Sequence, residues 1–103
     1  LTLPVLTFAV GVTRGVRIDE PMYIGKEIKK DGAQGDKPAT LANCTNLEDG
    51  TPCMIVVPAV VQGNFDEHYP DAAYVGKSFA IEKRAKRDGK RYFDYMIAEI
   101  EGA

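Results

Sequence analysis

The residues with the most evident chemistry lie between Lys77 and Tyr95. Between Lys77 and Tyr92 seven cations, Lys77, Lys83, Arg84, Lys86, Arg87, Lys90 and Arg91, stand against only Glu82 and Asp88, a local charge of +5 in a chain whose net charge is −2. Three rings, Tyr92, Phe93 and Tyr95, follow at once. Cations suit phosphate oxygens, and aromatic faces suit unstacked bases, each stack being worth about 1–3 kcal/mol. Tyr92 and Phe93 must point to opposite sides of a strand. Either Tyr92 is presented outward beside the cations, or Phe93 and Tyr95 are. A plainer reading of the same cations is a charged tip that blunts a sheet edge.

A second, smaller group could face the first. Tyr23 is followed by Lys26, Lys29 and Lys30, enough to line the other side of a groove. Little else carries chemistry. His68 is the only histidine and reads as a helix-end or surface residue, so neither a triad nor a zinc site is expected. Cys44 and Cys53 read as two small residues on adjacent strands; a disulfide across that hairpin is compatible with their spacing but lacks a wider cysteine framework. Gly76-Lys77-Ser78 is not a phosphate loop, because position 71, where the first glycine of that motif belongs, is Asp71. No enzyme activity and no cofactor are expected.

The elements that must position these groups read as strands. In Gly76 to Ile100, Phe79 and Ile81 alternate with polar or small residues. Asp88-Gly89 suits the positive φ of a tight turn, and the aromatic and branched second arm, Tyr92 to Ile100, suits a strand. Earlier, Leu1 to Val12 reads as a first strand that starts near Pro4. Gly11 and Gly15 bracket Arg14, with Arg17 beyond, and read as a turn or bulge carrying two cations. Pro21 to Ile28 is a second strand, Lys29 to Pro38 a loop, and Ala39 to Asn46 a third strand. A hairpin turn marked by Asp49-Gly50 leads to a fourth, Cys53 to Val61. Asn64 is positioned to cap a short helix over Phe65 to Tyr69, which Pro70 would end.

At 103 residues the chain is expected to form one domain, 1–103. The pattern predicts an all-β fold: a small five-stranded Greek-key barrel of the OB type, with one short helix before the last two strands, although an SH3-like barrel or a small sandwich would give a similar rhythm. No apolar run reaches the roughly 18 residues of a membrane span. The N-terminal LTLPVLTFAVGV lacks the basic start of a signal peptide, so the cytoplasm is the expected location. Beginning at Leu1 rather than Met, the sequence reads as a fragment or trimmed chain.

The pattern V-V-Q-G-N-F-x3-Y-P-x3-Y-V-G-K-S-F-x-I, followed by G-K-R-Y-F-x-Y-x-I-x-E-I, resembles OB-fold single-stranded DNA-binding proteins of bacteriophages. The resemblance is loose over Leu41 to Ile100 and best over Gly76 to Ile100. It implies an OB fold and sequence-independent binding of single-stranded DNA along one face. It also implies a role in replication or recombination of a phage or mobile element, in the host cytoplasm. The chain departs from that family in having no tryptophan. The acidic C-terminal tail of many such proteins does not appear before Ala103. On this reading Tyr23, Lys26, Lys29, Lys77, Lys83, Arg84, Lys86, Arg87, Lys90, Arg91, Tyr92 and Tyr95 bind the nucleic acid. Replication or recombination proteins and a second copy of the chain are further partners compatible with it. The alternative is a small β-barrel interaction or virion protein that docks an acidic partner through the same basic hairpin.

Overall fold

A computed structural model describes residues 3–28, 34–86, 89 and 93–101. Among them it contains six strands and one helix: β1 (Thr13–Ile18), β2 (Tyr23–Ile28), β3 (Gln34–Asn46), β4 (Pro52–Val56), α1 (Ala59–His68), β5 (Ser78–Arg84) and β6 (Asp94–Ile100). The pairing is antiparallel, in the order β2-β3-β1-β5-β6, with β4 on the other edge of β3. β1 and β2 lie in succession along one edge of β3, as Ile18↔Cys44 and Tyr23↔Leu41 show. Between them the Asp19 N–H still donates to the Asn43 carbonyl at 3.1 Å. They act as one long strand broken over 19–22. Six strands therefore fill the five positions of an OB-like Greek-key barrel, with the helix between the third and fourth. The expected all-β class and helix placement hold.

Several boundaries differ from the sequence reading. The first strand is 13–18, not 1–12, and the expected turn around Arg14 and Arg17 is a regular part of it. Val16 and Ile18 point inward and are fully buried, while Gly15 sits where Leu47 and Ile100 cross the strand, 3.5 and 3.9 Å from where a Cβ would stand. The turn falls instead at Gly11, whose φ of +81° favours glycine. Residues 4–11 form a strap rather than a strand. Met54 N–H donates to the Pro4 carbonyl and Leu6 N–H to the Met54 carbonyl along β4, and Gly11 N–H then donates to the Lys83 carbonyl at the end of β5. β3 reaches back to Gln34, so 34–38 is strand, not loop.

β4 stops at Val56, and Val60 and Val61 belong to the helix. The cause is Pro58, which holds an extended N-cap conformation (φ −63°, ψ 153°) and accepts the first helical bond from Gln62 N–H. Asn64 is therefore inside the helix and caps nothing. The helix does end at Tyr69, before Pro70. Val61 and Phe65, four residues apart, put one helical face into the barrel mouth. Phe65 meets the rings of Phe79, Tyr74 and Tyr69 at 4.8, 5.6 and 6.0 Å.

Cys44 and Cys53 face each other across β3 and β4. Both are buried and free. Burial, and secondarily the neighbouring Cys53, push the Cys44 thiol up to about 12 from an ordinary value of 9.0. The native state thus holds a proton that the unfolded chain releases between these values. Stability is unaffected below about pH 9 and falls as pH rises through the window, by up to about 1.4 kcal/mol per unit from this group. Urea titrations at about pH 8 and 10.5 should show a smaller alkaline loss in Cys44→Ala than in the wild type. An equal loss in both would refute the assignment.

Candidate nucleic-acid interface

The β5–β6 register pairs Lys83 with Tyr95, Ile81 with Ile97 and Arg84 with Asp94. Ile81 is core, so Lys83, Tyr95 and Ile97 share the inward side and Arg84 lies on the opposite one. This decides between the two sequence registers: Tyr95 and Ile97 face the core. At the barrel rim, however, that side opens. Lys83 Nζ stands 4.1 Å from the centroid of the Phe93 ring and Lys86 Nζ 4.9 Å from it. Tyr95 is half-buried, edge-on to Phe8 of the strap at 6.2 Å, and burial raises its hydroxyl pKa.

Around these rings runs a mostly apolar trough in three connected parts. A cavity of about 480 Å³ lies between Phe93 and Tyr95 on one side and Pro58, Ala59 and Val60 on the other. Pro58 and Tyr95 are shared with a second, of about 310 Å³, whose wall includes Phe8, Val5, Ile28 and Lys83. Val5 and Ile28 are shared in turn with a third, of about 460 Å³, which reaches Tyr23, Lys26 and Met54. Through these shared walls the three cavities, together the trough, follow one another from Phe93, just before β6, to Tyr23 on β2. Four rings, Phe93, Tyr95, Phe8 and Tyr23, border it, with Lys83, Lys86 and Lys26 at its margin.

Tyr23 is held from the sheet side. Its hydroxyl donates to Asn43 Oδ1 at 3.3 Å and lies 3.4 Å from Met54 Sδ, and Asn43 Nδ2 donates to Glu20 at 3.1 Å. Tyr23 remains 40% exposed. Lys26 is exposed, with no carboxylate partner among the described residues.

Not every predicted residue joins this group. Arg84 is turned to the outer side, where its Nε donates to Glu82 at 2.9 Å and Nη2 approaches Met96 Sδ at 3.2 Å. Lys77 precedes the other end of β5, six residues and roughly 20 Å from Lys83 at strand rise. There it pairs with Glu99 at 3.8 Å, and Glu99 also accepts from the Tyr69 hydroxyl at 2.8 Å. Lys29, Arg87, Lys90, Arg91 and Tyr92 lie outside the described residues. Phe93 and Phe8 were not among the predicted binding residues. Phe93 carries a signal in the run Tyr-Phe-Asp-Tyr beside the cations. Phe8 carries none, because only the strap's path brings it to Tyr95.

The trough offers hydrophobic faces and cations along its wall. Among the described residues no three His, Cys, Asp or Glu side chains gather where a metal ion could be held. No helix among them is long and apolar enough to cross a membrane. Fold and site together define a small OB-like β-barrel with an aromatic, cation-rimmed cleft. Set against protein-family models, curated proteins and solved structures, the chain matches none.

Proposed function

We propose that this protein binds single-stranded DNA without sequence preference along the trough, serving replication or recombination of a phage or mobile element in the host cytoplasm. The observation that carries the reading is the placing of Lys83 and Lys86 over the Phe93 ring, at the end of a cleft that continues past Tyr95 and Phe8 to Tyr23. A single strand presents a phosphate and a flat apolar base at every step, and this cleft alternates the matching groups. In the free protein the two ammonium groups sit on the ring, an arrangement worth about 0.5–1 kcal/mol at an exposed site. Phosphates draw the lysines to the backbone, and the ring becomes free to stack. In sequence, Arg87, Lys90 and Arg91 add further positive charge between Lys86 and Phe93.

The test is fluorescence anisotropy of labelled dT30 at low and moderate salt. Saturable binding is expected, with log affinity falling linearly against log salt by about 0.7 per phosphate contacted. Duplex of equal length should compete poorly, because paired bases cannot enter the cleft. Absence of binding at low salt would overturn the proposal. It would leave the second reading, a protein-interaction or virion module, which the apolar lining of the same trough favours.

A further inference from the structure

The two thiols form a second site, on the inner side of the β3–β4 pair. Cys44 and Cys53 are direct partners in the antiparallel register. Met54 turns its backbone N–H and carbonyl outward to the strap, while Asn46 N–H donates inward to the Thr51 carbonyl at 2.8 Å. The alternation of an antiparallel ladder then makes Cys44/Cys53 a hydrogen-bonded pair, with Cα atoms about 5.5 Å apart. That separation lies inside the range of about 4.4–6.8 Å that a disulfide spans. Partners on such a ladder project to the same side, and both residues are core, 1% and 3% exposed. The chain has no other cysteine.

We infer that Cys44 and Cys53 are a dithiol–disulfide couple, closed within one chain by a peroxide. Cys53 reacts first, because β4 is only five residues long and its outer edge is covered by the strap alone. The Cys53 thiolate attacks a peroxide oxygen, the O–O bond breaks, and the sulfenic acid forms with release of one water after protonation. The Cys44 thiolate then attacks the sulfenic sulfur. The S–S bond forms, hydroxide leaves and is protonated to a second water. Two thiols and one hydrogen peroxide give one disulfide and two waters. Burial holds both thiols in the protonated form, so the reaction waits on local opening of β4. The partners already face each other, and because the side chains of a hydrogen-bonded pair stand about 4.5–5.5 Å apart at Cβ, the two strands draw together by about 1 Å as the bond forms.

The experiment treats the full chain with hydrogen peroxide, then denatures, alkylates with iodoacetamide and weighs it. The expected product is a monomer about 2 Da lighter than the reduced protein, carrying no alkyl group, and dithiothreitol should restore two alkylation sites. Its thermal midpoint should rise by about 5–10 °C, since the bond closes a short loop in the unfolded chain. Two alkylated cysteines after long exposure, a disulfide-linked dimer as the main product, or one cysteine oxidised to the sulfinic acid would each overturn the inference. So would an oxidised monomer that melts below the reduced one. DNA binding enters none of these readouts.

Discussion

Phe65→Ala is expected to destabilise the fold by about 3–5 kcal/mol, the range for deleting a buried ring whose surroundings cannot collapse. Phe65 is fully buried and is the one helical side chain that meets Tyr69, Tyr74 and Phe79 together. Those partners come from the helix end, the following turn and β5, so three segments lose a common contact. Tyr74 is fixed further, its hydroxyl accepting from Met22 N–H at 2.9 Å, which limits how far the cluster can close over the void. A domain of this size has about 5–15 kcal/mol in all, so the loss is a large share. Urea unfolding should show a much lower midpoint at nearly unchanged m. A cost below about 1 kcal/mol would mean that the helix does not plug the barrel in solution.

The second large effect concerns binding. Phe93→Ala should weaken dT30 by about 5–150-fold, equivalent to one lost stack of 1–3 kcal/mol, with the salt slope unchanged. Lys83→Ala should do the reverse in kind. It should weaken every sequence about equally and reduce the salt slope by about 0.7, the share of one phosphate. The two variants together separate stacking from charge. Arg84→Ala serves as the internal control, because Arg84 is held on the outer side by Glu82 and Met96 and should alter binding less than Lys83→Ala. If Phe93→Ala and Lys83→Ala both bind as the wild type does, the trough is not the site, even where binding itself is confirmed. Neither substitution empties the core: Phe93 and Lys83 are both only half-buried, at the rim.

By itself the sequence determined the β class, the position of a helix before the last two strands, and the hairpin of 76–100. Each depends on information carried locally. Phe79 and Ile81 alternate, Asp49-Gly50 marks a turn in which Gly50 takes a φ of +73°, and Pro70 follows the helix end. It also determined which short stretch concentrates cations and rings, since charge density needs no fold to be counted. Tertiary structure alone decided the rest. The apolar run Cys53–Val61 carries Pro58 as a local break, but only the packing of Val61 and Phe65 into the barrel mouth makes the part beyond it a helix rather than a continued strand. Gly15, which locally suggests a turn, lies in a strand because Leu47 and Ile100 occupy the space above it. Arg84 and Lys83 are neighbours in sequence, yet the pleat sends one to Glu82 and the other to Phe93. Phe8 reaches Tyr95 across 87 positions only because the strap runs from β4 to the end of β5. Contacts between distant segments depend on path and register, and neither is written in any single stretch of the chain.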